Sequence, residues 1–429
     1  MVAAYDQGED AMKVTYFQQA PYRHLPADFH RRHPSVVTTP YFAYVEPRLM
    51  QQDLLAFVSE MLHAAREGFD GVALTEHGQS SYDVMPNPNL IAATLATMTQ
   101  FEGLKVAINV LGRSLGKSRE PLRVAEEYAV IDCLSGGRLI AGFPVGLSYD
   151  ANQNAGIPPI LTRERYFEAR ALVEKAWSAR EPFAWNGKHF KYPQVNPWPR
   201  PIQQPKPPVW VPGVGSPGTM ADILGREDTY VYLSWFGAKL TGPRIFDRFW
   251  QTADKLGRDR NPYRLAFLQV VCVGESDAAA ERDYAGHVEA HFRNGLGSIP
   301  PSGLMMPGYT ERGGVEAVMR DPGDLGLVAR IREASFAEMA EAQVVIVGGP
   351  ATVAEQIEAF ARRFNIGHLL VMLQLGTMPE ALTRQNISLF ARHVLPRLRD
   401  IWAKEGWPEL SWPAALGAGT PPQPAKTAA

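Results

Sequence analysis

Eight short apolar runs, rich in β-branched residues and free of polar alternation, recur along the chain. They are Val14–Phe17, Val72–Leu74, Val106–Val110, Leu139–Gly142, Val209–Val211, Val231–Leu233, Phe267–Val273 and Leu369–Leu373. A strand with one wet face alternates polar and apolar side chains, so runs without alternation predict parallel strands buried on both faces. Amphipathic helical patterns fill the intervals. Leu54, Leu55, Val58, Met61, Leu62 and Ala65 recur at helical spacing before Gly68, a stop signal. Val124, Tyr128, Ile131 and Leu134 do so before Gly136-Gly137, and Val353, Ile357, Phe360 and Phe364 before the last strand. Strand, crossover helix and parallel strand, repeated around a sheet, predict a closed (β/α)8 TIM barrel. An open, doubly wound dinucleotide-binding sheet carries a GxGxxG turn after its first strand, and this chain has none there.

Barrels of this kind absorb a long chain as one domain, and residues 13–402 are assigned to it. Residues 1–12 show no periodicity, and 414–429 are mostly Ala, Gly, Pro and Thr, so both ends are expected to be disordered. A net charge of -2 over 429 residues leaves no basic excess for nucleic acid or an anionic membrane surface. Cys133 and Cys272 fall in apolar patterns and are expected as core thiols. No basic leader precedes an apolar run, and no apolar stretch approaches about 18 residues, so a cytoplasmic protein is expected. There is no HExxH, no CxxC and no HxH after the first strand, and no metal site is expected.

Three segments exceed what a plain barrel needs: Gln18–Pro47 after the first strand, Tyr192–Pro208 before the fifth, and Gly295–Gly326 after the seventh. The proline-rich middle one is expected to run extended over the surface. The other two leave strands at the C-terminal rim of the barrel, where they would form a mobile cover over a pocket.

Chemistry in a barrel sits at the C-terminal ends of the strands. The second strand exits as Thr75-Glu76-His77-Gly78. His77 can take or give a proton near neutrality, and Glu76 can fix its tautomer or bind a polar group. Asn109 and Val110 end the third strand, the former offering two donors and an acceptor. In the fourth exit, Val145-Gly146 follows Gly142, Phe143 and Pro144, and the glycines permit close approach of backbone to a ligand. The fifth exit opens a helix through Gly215, Ser216, Pro217 and Thr219, where free N–H groups and the helix dipole favour an anion. Gly348-Gly349-Pro350-Ala351-Thr352 opens another helix and offers a rival phosphate cradle.

Taken together, TEHGQSSYDVMPNPNLIAATLA, PLRVAEEYAVIDCLSGGRLIAGF, RERYFEARALVEKAWSAREPFAWNGKHF, PRPIQQPKPPVWVPG and GGPATVAEQIEAFARRFNIGHLLVMLQLG, in this order, resemble the bacterial luciferase-like flavin-dependent oxidoreductases. The likeness runs from Lys13 to Trp402, and the opening APYRHLPADF is similar to members that oxygenate small heterocyclic compounds. The resemblance implies that His77 is the active-site histidine and that Asn109-Val110 meets the flavin ring, where a non-prolyl cis peptide is usual. It places the flavin phosphate at Gly215, Ser216 and Thr219, which decides against Gly348, and Ser234-Trp235 beside the flavin. The chain departs from the family at Gly78, where a second histidine is common, and at Val145, where an arginine near the phosphate is common. Arg113 or a lid arginine would have to replace that cation.

The implied activity is that of a two-component monooxygenase. A flavin reductase supplies reduced FMN, dioxygen is the co-substrate, and a small organic molecule is oxygenated in a dry pocket. His77 would act as acid or base with Glu76 as its orienting partner. Two other activities fit the same resemblance: hydride transfer with the deazaflavin F420, and a non-catalytic flavin-binding partner subunit. A homodimer is expected.

Overall fold

In the computed structural model the described residues are 11–33, 35–213, 215–233, 237–295, 299, 303, 306 and 331–417. The apolar runs become strands β1 (Lys13–Phe17), β2 (Gly71–Leu74), β3 (Ala107–Val110), β4 (Leu139–Gly142), β7 (Val209–Gly213), β8 (Thr229–Tyr232), β9 (Leu265–Val273) and β11 (His368–Met372). Each pairs in parallel with the next, β8 pairs with β9, β9 with β11, and β11 returns to β1, closing the ring. All eight expected strands are in that ring, and the fold is the (β/α)8 barrel.

Three strands lie outside it. Phe183–Asn186 (β5) and Lys191–Val195 (β6) form an antiparallel hairpin before the fifth barrel strand, so part of the segment expected to be merely extended is paired. Val345–Gly348 (β10) runs parallel to the upper half of β9, in line with β8.

The barrel helices are α1 (Pro47–Arg66), α2 (Pro88–Phe101), α3 (Pro121–Ser135), α4 (Thr162–Ser178), α5 (Pro217–Arg226), α6 (Gly237–Lys255), α7 (Asp277–Asn294), α8 (Pro350–Phe364) and α9 (Glu380–Leu389). Proline opens α1, α2, α3, α5 and α8, where its missing N–H costs no helical bond and its fixed φ suits the first turn. Strand side chains alternate between two cores. Val14, Val72, Ile108, Val110 and Val211 pack outward under the helices, and Phe17, Ala73, Ala107, Leu111, Ile140 and Trp210 fill the inside.

A buried ion cluster binds α4 to α5 and to the start of the sixth barrel strand. The Arg170 guanidinium, 0% exposed, pairs with Asp228 just before β8 and with Glu174 at 3.1 Å. Burial works against its charge, but Tyr166, Asp228 and Glu174 hold its proton more firmly than usual, and Asp222 stands 3.6 Å away.

The chain ends are more ordered than expected. Ala11 and Met12 are buried, and Met12 N donates to Ile401 O. Residues 405–417 cross the N-terminal end of the barrel. Lys13 pairs with Glu409, Trp210 Nε1 donates to Ser411 O at 2.9 Å, and the Trp412 ring stacks on buried His368 at 5.7 Å. Leu416 is buried, and residues 418–429 of the expected tail lie outside the described residues. Cys272 is in the core as expected, but Cys133 is exposed. It lies on the face of α3 turned away from Val124, Tyr128 and Ile131.

Candidate active site

Parallel strands point the same way, so β2 and β7 deliver His77 and Ser216 to one rim of the barrel. His77 follows β2 by three residues, and its backbone N–H donates to Met85 O at 3.0 Å, which pins the loop. Its imidazole Nδ1 stands 2.9 Å from Asp150 Oδ2 and 3.2 Å from the Tyr149 hydroxyl. The Tyr149 and Tyr82 hydroxyls share a 2.6 Å hydrogen bond, and the Tyr82 ring lies 5.0 Å from the imidazole. Asp150 Oδ1 accepts from Asn154 Nδ2 at 2.9 Å, and Lys117 Nζ is 3.9 Å away. With Nδ1 engaged, Nε2 is the ring nitrogen that makes no hydrogen bond among the described residues.

Burial by itself would strip the proton from His77, but the Asp150 carboxylate overrides it and raises the imidazole above its ordinary pKa. Burial likewise raises Asp150, and the His77 charge more than offsets this, leaving the carboxyl below its usual range. The pair is a hydrogen-bonded histidine–carboxylate dyad in which each partner favours the charged form of the other. Asp83, beneath it, accepts from Ala20 N at 3.0 Å and Thr75 Oγ1 at 2.9 Å, and burial pushes it up to about 6.

Glu76 does not orient His77. Its carboxylate accepts from Arg113 Nη1 and from Ser114 N, each at 3.1 Å, and lies 3.4 Å from Lys117. Arg113 pairs with Glu76 and Glu127 through its two Nη atoms, and its Nε has no partner among the described residues. Consecutive side chains of an extended exit point to opposite sides, so adjacency of Glu76 and His77 in sequence separates them in space. Sequence reasoning missed Asp150, which comes from the loop after β4, and its neighbour Tyr149. The available signal was a Tyr-Asp pair in a long loop on the catalytic rim.

At the fifth exit Gly215 adopts φ +101, and its N–H donates to the Tyr230 hydroxyl at 2.9 Å. A β-carbon there would collide with Ile245, so glycine is required. Ser216 is the N-cap of α5, with Pro217 in its first turn. Arg163 Nη1 reaches Thr219 Oγ1 at 3.5 Å, and Arg248 Nη1 donates to Gly215 O at 3.4 Å. Two guanidinium groups therefore stand at this helix end. The rival at Gly348–Thr352 already holds an anion: Asp277 accepts from Gly349 N at 2.6 Å and from Thr352 Oγ1 at 3.2 Å.

Asn109 points inward between Ala107 and Leu111, is 0% exposed, and both atoms of its amide lack a partner among the described residues. Val110 does not face the mouth. Its side chain packs outward, and its carbonyl accepts from Tyr128 at 3.3 Å. The cis peptides among the described residues are Trp198-Pro199 and Gln204-Pro205, so the Asn109-Val110 bond is trans, contrary to expectation. A non-prolyl cis bond would cost about 3–4 kcal/mol. Phe143 and Val145 also pack toward the outer core. Gly146, at φ +100, passes against Ser114, whose hydroxyl donates to Val145 O at 2.7 Å. Ser234 and Trp235 lie outside the described residues.

A small apolar cluster covers the mouth: Phe29 and Val36 from the loop after β1, Tyr82 from that after β2, Tyr149 from that after β4 and Ile299 from the segment after α7. Ser148 Oγ donates to Gly303 O at 2.6 Å, joining two of these loops. Among the described residues no helix is long and apolar enough to cross a membrane.

The orphaned Asn109 amide, the glycine-built helix end and the two arginines fit a cofactor with a hydrogen-bonding ring system and a phosphate. An uncharacterized protein of Sinorhizobium fredii is 34% identical over 234 residues, 51% of this chain and 61% of that protein. The oxygenase component of the flavin-dependent trigonelline monooxygenase of Acinetobacter baylyi is 28% identical over 177 residues, 40% of this chain and 47% of that protein. The chain thus matches less than two thirds of the length of either relative. In fold, it is similar to the oxygenating constituent of the 3,6-diketocamphane monooxygenase of Pseudomonas putida, solved with FMN (TM-score 0.63, 20% identity, 90% of this chain and 98% of that one). An F420-dependent secondary alcohol dehydrogenase is similarly placed, at TM-score 0.62 and 16% identity, covering 91% of this chain and 100% of its own. The family model described as luciferase-like monooxygenase matches residues 35–364, most of the sequence, and the chain belongs to that family.

Proposed function

We propose that the chain is the oxygenase component of a two-component monooxygenase, taking reduced FMN from a separate flavin reductase and oxygenating a small organic substrate with dioxygen. One observation carries this reading: a buried histidine–aspartate dyad, an orphaned amide and a cation-flanked helix end share the C-terminal rim of the barrel. Reduced FMN, when bound, supplies the electrons that activate dioxygen. Gly215, Ser216 and Thr219 would hold its phosphate with Arg163 and Arg248, and Asn109 would meet the polar edge of its ring. Asp150 favours the protonated form of His77 and turns the ring so that Nε2 faces the bound molecules, where it can give or take a proton. The lid cluster of Phe29, Val36, Tyr82 and Tyr149 excludes water, which strengthens every charge inside and suppresses wasteful proton delivery.

The test is incorporation of labelled dioxygen into members of a panel of small heterocyclic and aromatic compounds, with a reductase, NADH and FMN present. Label in product supports the reading. Release of hydrogen peroxide alone across the panel, or oxygen-independent reduction of a substrate with reduced F420, would contradict it.

The phosphate assignment makes a separate prediction. Gly215→Val forces a β-branched residue into a left-handed conformation and drives it against Ile245. Its affinity for reduced FMN, measured by anaerobic titration, should fall by about tenfold to a hundredfold, the worth of charge-assisted hydrogen bonds to the phosphate. Affinity for reduced riboflavin, which has no phosphate, should change far less.

We further propose that a second copy covers the exposed apolar face of α2 and α3. Phe101 is 86% exposed and Leu90 68%, with Met98 on the same helix and Val130 and Leu134 on its neighbour. Monomers rarely leave such a patch open. The Phe101→Glu, Leu134→Glu double variant should sediment as a monomer at concentrations where the parent is a dimer.

A further inference from the structure

Beside the His77 dyad, the exits of β1, β2 and β11 and the C-terminal end of α7 enclose a cavity of about 20 Å³. Tyr22, Ser81, Tyr82, His291 and Asn294 line it, with Gly376 and Thr377 closing one side. Two buried oxygen atoms among these residues, Ser81 Oγ and Asn294 Oδ1, have no well-formed hydrogen bond among the described residues, although the Asn294 side chain also bears on the His30 imidazole. Asn294 is only 8% exposed, and a buried polar atom without a partner forfeits free energy unless a ligand supplies one. Burial pushes His291 down to about 4, so its ring is neutral wherever the protein is used near neutrality. No Lys, Arg, Asp or Glu lines the cavity. The arginines of the surrounding elements are engaged elsewhere: Arg293 stands 3.6 Å from Glu289, and Arg332 donates to His30 O at 3.3 Å. Tyr82 is shared, with one face on the cavity and its ring 5.0 Å from the His77 imidazole.

We infer that this cavity is a recognition subsite for an uncharged, hydrogen-bond-donating group on the substrate, a carboxamide, amine or phenol, carried on a ring that packs against Tyr82. The inference rests on the reading of this mouth as an oxygenase site. The volume admits one polar group and no more. A donor entering it satisfies Asn294 Oδ1 and Ser81 Oγ together. A carboxylate can accept from the Ser81 hydroxyl, but it brings no donor to Asn294 Oδ1 and finds no cation in the lining, so its desolvation is compensated only in part. Thus the site selects between a ring amide and the ring acid of the same shape, in favour of the amide.

Benzamide and benzoate, nearly equal in shape, are the probes, and calorimetric binding to the full chain without flavin is the measurement. Benzamide should bind at least about tenfold more tightly than benzoate, the worth of a buried polar group left unpaired. Asn294→Leu should remove that difference, and Ser81→Ala, at the opposite wall, should reduce it while leaving the fold intact. Thermal melting of both variants identifies one that has failed to fold, in which case the other decides. Benzoate binding as tightly as benzamide, no binding of either at millimolar concentration, or folded variants that keep the full preference would each overturn the inference. Because no flavin is present, failure here is distinct from failure of the oxygenase reading: amide selectivity in a chain that never binds reduced FMN would keep the subsite and lose the oxygenase.

Discussion

Asp150→Asn will lower the pH at which the His77 ring titrates. In the parent, burial disfavours the imidazolium and the Asp150 carboxylate more than compensates. Asparagine keeps the shape and the hydrogen bond but removes the charge, so burial acts almost unopposed and the pKa falls below its ordinary value near about 6.5. If the protonated ring is the active form, activity is lost as pH rises through the pKa of His77. The alkaline limb of the rate profile then moves to lower pH in the variant, and turnover at pH 8 drops by on the order of a hundredfold. Stability follows the same sign. His77, raised in the folded state, contributes stability that is present below its unfolded pKa and disappears as pH rises through the folded one. Asp150, lowered in the folded state, contributes stability present above its unfolded pKa and lost as pH falls through the folded one. The dyad therefore stabilises the fold most in the window between the two, and Asp150→Asn removes that contribution. Proton NMR of the His77 ring in both proteins checks the central point. An unchanged titration would mean that Asp150 does not set the charge of His77.

Arg170→Ala will produce the larger loss of stability, about 3–5 kcal/mol, because it leaves buried acids without their partner. Arg170 is 0% exposed, and Asp228 beside it is 4% exposed. Asp228 is already raised above its usual range by burial, with Arg170 and Lys206 working against that. Lys206 remains at 3.5 Å in the variant, but its side chain is 29% exposed and compensates only in part. Losing the guanidinium raises Asp228 further, and a carboxyl raised in the folded state loses stability as pH climbs through its folded pKa. The deficit should thus be smaller at pH 5 than at pH 8. Urea unfolding at both pH values measures it. A deficit below about 1 kcal/mol, the scale of surface pairs, would show the cluster to be energetically idle.

The barrel was legible because the property that makes a parallel strand, burial on both faces, is written in consecutive residues. Every ring strand carries such a run, and none depends on distant sequence. Val345–Gly348 escaped the same reading because it is four residues long, with Val347 only half-buried, and lies against the upper half of β9 rather than between two full neighbours. The rim was legible in part. His77, Gly215 and Thr219 stand at strand exits, whose positions follow from the fold. What faces what across the mouth does not follow, since Asp150 lies 73 residues from the histidine it holds. Alternation along extended backbone accounts for the two misassigned neighbours. Glu76 turns to Arg113 while His77 turns to Asp150, and Val110 turns outward while Asn109 turns in. Cys133 and Leu134 fell on the wet side of α3 because a helical pattern read a few degrees off still collects apolar residues.

Whether one rim holds one flavin is decided most directly by anaerobic titration of the full chain with reduced FMN, reduced riboflavin and reduced F420, following the His77 ring signals throughout. The account predicts a single reduced FMN per chain, bound more tightly than either competitor, with the His77 resonances shifting in step with saturation. Binding of reduced FMN that leaves His77 untouched, or a preference for F420, would mean that the helix end and the histidine do not serve one cofactor.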